Sequence, residues 1–324
     1  MRRRAVLSLA LSAPSLAAVG PAAAQLGRPV RLIVPTVPGG AIDAIGRLYA
    51  GRLGARMNQT WVVENRSGAN NTIGAAAVAR AVPDGTTLLT NADIHLMAKR
   101  TVRGLAYDPL EDFAPVGRMA TAPLVIVGHP KESRAATLAE LIDAMQRDPA
   151  HYAFATSGGG SMAHLAAEGF KRRVGAPDVV VAHYRGTAPA LSDVVSGTVA
   201  LMAAPVLSAR PLISGGQLRA FAVTAAGRSA VMADVPTVDE AGLAGLHFTL
   251  WYALWGPCGL SASLAEALAG HVREVGREPE TARRLAELGA DPYTADSPAS
   301  FARFLREEDQ RNGRIADEAG LQPE

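Results

Sequence analysis

Cysteine is almost absent from this sequence of 324 residues, in which Cys258 is the only one. A single cysteine excludes an internal disulfide and any cysteine-rich zinc or iron–sulfur site. The seven histidines show no metal-ligand spacing, so we expect no metal site and no cofactor, and we interpret the histidines as surface or capping residues. Cys258, which lies between a proline and a glycine, is expected to be a small buried hydrophobic residue.

An excess of charge is also lacking. The 32 basic and 30 acidic residues give a formal net charge of +2, which becomes −1 if Arg2, Arg3 and Arg4 are removed with a leader peptide. No basic stripe then remains to bind nucleic acid. Hydrophobic residues make up 48% and charged residues 19%, a composition that excludes a disordered chain. At about 150 residues per domain, the length allows two domains.

Long hydrophobic runs are confined to the first 25 residues. Three arginines precede an apolar stretch over 5–19, and three alanines at 22–24 offer a cleavage site before Gln25. This is the plan of a secretory signal peptide, and the stretch is too short to serve as a membrane anchor. No later stretch reaches 18 apolar residues. We expect a periplasmic protein exported by the Sec route rather than through the twin-arginine pair Arg3-Arg4.

After the leader, short apolar runs alternate with helix-like segments. Most of the runs are continuously apolar, as expected of parallel strands covered on both faces. The predicted strands are 30–34, 61–63, 86–89, 124–127, 152–155, 179–182, 199–202 and 218–223. The predicted helices between them are 41–56, 72–81, 137–146, 162–174, 189–195 and 208–213. This alternation predicts an α/β fold.

The C-terminal part has a different pattern, with one strand-like segment at 247–255 and then helices at 261–276, 278–288 and 298–319. Such a helical tail has to pack on another part of the chain, and the first α/β unit is the obvious partner. We therefore predict a discontinuous first lobe, 26–125 plus 226–324, with a second lobe, 126–225, inserted in its middle.

Three glycine-rich turns, at 35–40, 156–161 and 184–189, each join a strand end to a helix start. Glycines allow a ligand to approach backbone N–H groups, and a helix N-terminus favours an anion. In open α/β sheets, ligands bind outside the carboxyl ends of the strands, where all three turns would lie. Any one of these glycines could simply make a tight turn. Together, the three turns predict a site for a small carboxylate.

Enzymatic interpretations find less support. The spacing of Gly158, Gly160 and Ala163 imitates a dinucleotide fingerprint, but no acidic residue ends the next strand to hold a ribose. Neither a nucleophile elbow nor a phosphate-binding loop occurs. Ser157 or Ser161 with His164 could form a nucleophile and base, yet no orienting acid is evident. A hydrolase is therefore the weaker alternative.

The order of short motifs along the chain carries a family resemblance over Pro29 to Glu324. These motifs are RLIVP at 31–35, PGGAID at 38–43, VVENRSGA at 62–69, IGA at 73–75, PDGT at 83–86, YDPLEDF at 107–113, the turn 158–161 with HL at 164–165 and Glu168, YRGTAPA at 184–190, DVPT at 234–237 and WY at 251–252. The chain resembles Bug-type extracytoplasmic solute receptors, the substrate-binding components of tripartite tricarboxylate transporters.

The resemblance implies a type II periplasmic binding protein fold, with two α/β lobes that close over a ligand cleft by hinge motion. It implies a receptor that holds a carboxylate through backbone groups and ordered water, and then delivers it to a membrane permease. We expect the receptor to be monomeric. A receptor that signals to a membrane sensor instead is the alternative. The residues expected to line the first lobe are Val37, Gly39, Gly40 and Asp43, and those expected to line the second are Thr156, Ser157, Gly160, Ser161 and Thr187.

The chain also departs from the family pattern. Relatives commonly carry Phe-Asp where Ala203-Ala204 stand, which predicts a ligand without an amino group unless Ala204 lies outside the pocket. Asn70 and Asn91, at positions that are unusual for the family, are expected to add amide hydrogen bonds. Asp93 is expected to cap the following helix rather than to charge the cleft.

Two tryptophans stand four residues apart in the strand-like segment at 247–255, so they face the same side. One of them could stack over an aromatic ligand. We expect instead that Trp251 and Trp255 fill the core between the lobes.

Overall fold

The computed structural model describes residues 28–228 and 232–323, so the predicted signal peptide lies outside the described residues. The strands are β1 Val30–Val34, β2 Trp61–Asn65, β3 Thr87–Ala92, β4 Phe113–Gly128, β5 Ala153–Thr156, β6 Val180–His183, β7 Leu201–Pro205, β8 Arg219–Val223, β9 Thr249–Pro257 and β10 Asp291–Pro292. The helices are α1 Ala41–Met57, α2 Thr72–Ala79, α3 Ile94–Thr101, α4 Leu138–Arg147, α5 Met162–Arg173, α6 Thr187–Ser196, α7 Val206–Ser214, α8 Ala262–Arg277, α9 Pro279–Glu287 and α10 Pro298–Glu318. None of the helices in the described ranges has the length and apolarity that crossing a bilayer requires.

The long strand β4 joins the two halves of one mixed sheet, whose order is β2-β1-β3-β9-β4-β7-β5-β6, with β8 and β10 also paired to β4. Up to Pro123, β4 runs antiparallel to β9, and from Leu124 it runs antiparallel to β7 and β8. The pairs β1–β2, β1–β3, β5–β6 and β5–β7 are parallel, as the apolar runs predicted. The predicted lobe boundaries near 125 and 225 stay a prediction.

Thr224 ties together the two segments that cross between the halves. Its backbone N–H donates to the carbonyl of Leu124 (2.9 Å), and the N–H of Phe248 donates to the Thr224 carbonyl (2.9 Å). The Thr224 hydroxyl shares its proton between the carbonyls of Leu124 (3.1 Å) and Phe248 (2.5 Å). The side chain is fully buried, so the crossing point is a buried junction whose Thr224 polar groups are all hydrogen-bonded.

Trp251 and Trp255 are both buried, as predicted, but they do not lie between the halves. They pack within one apolar cluster of the first half, under α2, α3 and α10. The Trp255 ring lies 5.6 Å from the Phe301 ring of α10, centroid to centroid. Because β9 presents both tryptophans to the same face, the C-terminal helix that covers this face finds a continuous aromatic surface.

A buried ion pair anchors the C-terminal segment to β4. The guanidinium of Arg118 donates to both carboxylate oxygens of Asp296 (2.8 and 3.0 Å), and the Arg118 backbone N–H adds a third hydrogen bond (3.0 Å). The guanidinium lies 3.8 Å from the ring centroids of both Tyr293 and Phe304. Ser297 then caps α10 with a capping box, at the helix start that the sequence indicates.

α10 extends from the first half of the sheet to the core of the second. Near its start, Phe301 and Leu305 pack in the tryptophan cluster, while Ala316 near its end belongs to the cluster formed around α5. Arg172 of α5 donates a hydrogen bond to the carbonyl of Glu318. The C-terminal helix therefore connects both halves of the molecule.

The observed burial of three residues differs from the prediction. His95 and His164, predicted to be surface or capping residues, are buried, with 1% and 4% of their surface exposed. His95 packs among the rings of Tyr107, Phe113 and Trp255. Cys258 is exposed, because β9 ends at Pro257 and Cys258 lies in the turn that follows. In the described ranges, no group of three or more His, Cys, Asp or Glu residues could hold a metal ion.

Candidate functional site

The strand register brings the carboxyl ends of the two half-sheets to face each other at the middle of β4. The last residue of β3, Ala92, pairs with Tyr252 of β9, which pairs with Ala120 of β4. The last residue of β7, Pro205, pairs with Leu124 of β4 from the other direction. Four residues of strand correspond to about 13 Å. The turns and helix N-termini that follow the strands of both halves therefore face a common gap.

The first turn leaves α1 with an open N-terminus. Val37 is 63% exposed, Gly39 has φ +93°, which favours glycine, and Gly40 is the N-cap residue with no side-chain cap. The N–H groups of the first helical turn have no intrahelical partners and carry the positive end of the helix dipole. This arrangement suits an anion.

Asp43 holds the first turn in place through hydrogen bonds to its carboxylate. Its carboxylate accepts hydrogen bonds from the N–H of Gly39 (2.9 Å), from Arg47 (3.0 Å) and from the amide of Asn65 (2.8 Å). Burial acts to raise the pKa of Asp43, but the bonds from these three partners outweigh it and hold the pKa below its ordinary value. Asp43 is thus a charged support of the turn, neutralised by Arg47. A direct contact with a ligand stays a prediction.

The two predicted asparagines differ in their surroundings. Asn70 is exposed, and its amide lies 3.5 Å from the hydroxyl of Thr101 at the end of α3. Asn91 is fully buried, and its side-chain oxygen accepts a hydrogen bond from the Ala92 N–H (2.9 Å). The Asn91 oxygen also lies 3.4 Å from the amide of Asn71. Asn91 is therefore a buried residue that hydrogen-bonds to the backbone at the end of β3, whereas Asn70 lies at the exposed edge of the first half.

The second turn is held by internal hydrogen bonds. Ser161 is the N-cap of α5, where its hydroxyl accepts from the His164 N–H (3.2 Å) and donates to the Gly158 carbonyl (2.7 Å). The Gly160 N–H donates to the Nδ1 atom of His164 (3.0 Å). The Ser161 hydroxyl and the His164 ring thus each bond to backbone groups of this region. They do not bond to each other. Ser157 lies half-buried in the same turn.

Thr156, the last residue of β5, is buried, and its hydroxyl lies 2.9 Å from Nδ1 of His183. Of the other two predicted positions in the second half, Thr187 is half-buried and Ala204 is fully buried. Thr187 is the first residue of α6, whose N-cap Gly186 (φ +115°) provides no side-chain cap, as the N-cap Gly40 of α1 provides none. Ala204 of β7 is fully buried in an apolar cluster. α4, α8 and α10 start elsewhere and carry Ser or Thr caps.

The rims of the two halves touch where Thr101 meets Gly160. A Cβ atom on Gly160 would clash with the Thr101 methyl group, and Thr101 also adjoins Asn70. Asn70 and Gly160, which belong to opposite halves, therefore have Thr101 as a common neighbour. A separate cavity of about 930 Å³ lies along 102–108 beside Lys99, Asp112 and the C-terminal Gln322. It contains none of the predicted site residues.

Asp93 follows β3 at the edge of this gap, and its predicted capping role was wrong. The residue has helical backbone angles and makes no side-chain cap hydrogen bond. It is only 5% exposed. Burial first, and then the Glu308 carboxylate, raises the pKa of Asp93 to about 7. Glu308 in turn lies against Arg311 (2.8 Å) and the indole N–H of Trp251 (3.4 Å).

Asp93→Asn is expected to stabilise the protein at pH 8 and to change little at pH 4. The raised pKa means that the folded state keeps a proton that the unfolded chain releases near pH 4, so stability is lost as the pH rises from about 4 to about 7. The amide removes this loss, with an expected gain of about 2–4 kcal/mol at pH 8. Urea unfolding at both pH values measures it. An effect of equal size at the two values would contradict the assignment.

The fold and the facing turns define a two-lobed α/β binding protein. The family model described as "Tripartite tricarboxylate transporter family receptor" matches residues 45–321, and the chain belongs to this family. Protein BugT of Bordetella pertussis is 32% identical over 321 residues, 98% of each chain.

Two solved structures, both from Rhodopseudomonas palustris, match nearly the whole fold. A protein solved with adipate is 31% identical with a TM-score of 0.76, over 92% of this chain and 99% of that one. MatC with bound malate is 29% identical with a TM-score of 0.71, over 89% and 98%. The predicted type II periplasmic binding protein fold is confirmed.

Proposed function

We propose that this receptor captures a small carboxylate between its lobes in the periplasm and delivers it to the membrane permease of a tripartite tricarboxylate-type transporter. The observation that carries the proposal is the pair of glycine-started, uncapped helices, α1 and α6, that follow strands of opposite halves. Each offers backbone donors and a partial positive charge to an anion. The adipate and malate bound to the two relatives are ligands of this chemistry.

Capture follows from the arrangement without covalent chemistry. One carboxylate group docks on the N–H groups after Gly40, and the neutralised pair of Asp43 and Arg47 adds no net repulsion there. The second lobe closes over the ligand with the turn 157–161 and with Thr187, and water completes the hydrogen bonds that neither lobe reaches. The permease then recognises the closed form.

We also propose that a signal peptide over 1–25 delivers the protein by the Sec route, and that the mature receptor acts as a monomer without enzymatic activity. The commitment of Ser161 to the Gly158 carbonyl, and of the His164 ring to the Gly160 N–H, supports a binding role over hydrolysis.

A thermal-shift screen of residues 26–324 tests the proposal against mono-, di- and tricarboxylates, amino acids and aromatic acids. A ligand that binds only the folded state at about 100 times its Kd adds about 2.7 kcal/mol of stability. We expect the melting temperature to rise by several degrees with a carboxylate. A rise with amino acids alone would overturn the carboxylate specificity, and a rise with neither would count against the proposed function.

Ala204→Asp tests the proposed preference for ligands without an amino group. If position 204 reaches the pocket, the introduced carboxylate repels plain carboxylates, and we expect their affinity to fall by about tenfold or more. Calorimetric titration measures this affinity, and a melting curve shows whether the protein remains folded with an acid at this buried position. Unchanged affinity in a folded variant would place Ala204 outside the pocket.

A further inference from the structure

His164, in the first turn of α5, is a buried side chain beside the second turn to which the proposed capture mechanism gives no role. The residue is buried, and its Nδ1 atom accepts the Gly160 N–H at 3.0 Å. An Nδ1 atom that accepts a hydrogen bond carries no proton, so the neutral ring carries its proton on Nε2. Burial first, and then the neighbouring His183, lowers the pKa of His164 to about 4, which keeps the ring neutral.

The first lobe contains the same arrangement with a different residue. Gly39 and Gly160 each have positive φ and stand one residue before the N-cap. In both turns the N–H of this glycine donates to a side chain four residues later, which is Asp43 in one lobe and His164 in the other, at 2.9 and 3.0 Å. The two lobes thus fasten their turns at equivalent positions, with a neutralised carboxylate and a neutral imidazole.

His164 also connects the second turn to the neighbouring strand ends. Its ring packs edge-to-face on His183, with centroids 4.5 Å apart, and His183 contacts the Thr156 hydroxyl at 2.9 Å. The backbone N–H of His164 donates to the Ser161 hydroxyl. One residue therefore contacts the turn, its helix cap and the end of β6.

We infer that His164 is a positioning residue for ligand capture, which fixes the second-lobe turn through the Gly160 N–H before the ligand arrives. This inference rests on the proposed function. The imidazole holds the Gly160 N–H, whereas no hydrogen bond donated by the N–H groups of Gly158 or Gly159 is found among the described residues, so these two groups can serve an anion. An unfastened turn would have to be ordered at the moment of binding, which weakens affinity.

The test compares His164→Leu with His164→Asn. Both variants lose the ring contact with His183, but only asparagine keeps an acceptor in place of Nδ1, and Asp43 shows that a side chain of this length reaches the turn. We expect His164→Leu to weaken carboxylate binding by about tenfold or more, and His164→Asn to stay within about threefold of the parent. Calorimetric titration with the best carboxylate of the screen measures both.

Amide hydrogen exchange of Gly160, followed by NMR in the ligand-free protein, tests whether His164 holds the turn. Together with the titrations, it shows whether this holding assists ligand capture. We expect slow exchange in the parent and in His164→Asn, and clearly faster exchange in His164→Leu. Equal exchange in all three proteins would overturn the inference. Fast exchange with unchanged affinity in His164→Leu would overturn the role in capture. If exchange is slow in the parent and in His164→Asn and fast in His164→Leu, but the parent binds no carboxylate, then His164 holds the turn and the proposed function is wrong.

Discussion

Gly40→Val is expected to abolish carboxylate binding while the fold remains intact. The N-cap backbone angles, φ −77° and ψ 169°, suit any residue. A Cβ at this position would have no neighbour closer than the Val37 carbonyl oxygen at 4.0 Å. The valine methyl groups would therefore fit beside the turn but would crowd the uncapped N–H groups of α1. We expect the affinity to fall by about a hundredfold or more, equivalent to about 2.7 kcal/mol.

Calorimetric titration measures this loss, and the matched control is Gly51→Val. Gly51 lies on the exposed side of the same helix, and a Cβ atom added there would meet no other atom within 4 Å. This variant should bind like the parent. If Gly40→Val also bound like the parent, the first-lobe site would be assigned wrongly.

Asp296→Ala is expected to cause the largest loss of stability among these variants. The Arg118 side chain is 11% exposed and that of Asp296 4% exposed, so alanine would leave a buried guanidinium without its partner. Removing one member of a buried ion pair costs about 3–5 kcal/mol. The aromatic rings on either side of Arg118 cannot replace the two hydrogen bonds that it donates to the carboxylate.

Guanidinium unfolding measures the stability of this variant, and Glu274→Ala is the control. Glu274 pairs with Arg277 and with Arg56, and all three side chains are roughly half exposed, so the loss of these surface pairs should cost less than about 1 kcal/mol. A loss of the same small size for Asp296→Ala would show that the anchor of the C-terminal segment lies elsewhere.

Local sequence signals predicted most elements of the fold but not the long central strand. β1 matches the prediction at both ends because it is a nearly unbroken apolar run. The first half of β4 was missed because Pro115, Gly117 and Pro123 interrupt its pattern, and only the pairing with β9 makes it a strand. The bounds of α3 were not predicted because His95, Lys99 and Arg100 break the apolar spacing of so short a helix.

The turns of the candidate site were predictable because glycine and proline act locally. The side chains that hold these turns in place were harder to predict. The bond from Gly160 to His164 spans four residues, yet nothing in the spacing shows that the ring turns back toward the loop. The burial of His95 depends on Tyr107, Phe113 and Trp255, which come from separate segments of the chain. Such contacts exist only after the sheet has assembled.

The reach of α10 into both halves gives the protein a third link between them, in addition to β4 and the segment near Thr224. We expect this third link, held near Asp296 and again near Arg172, to limit how far the two halves separate in the empty receptor. If fewer arrangements are available before binding, less conformational entropy is lost when a ligand closes the receptor, which favours affinity for even a small molecule.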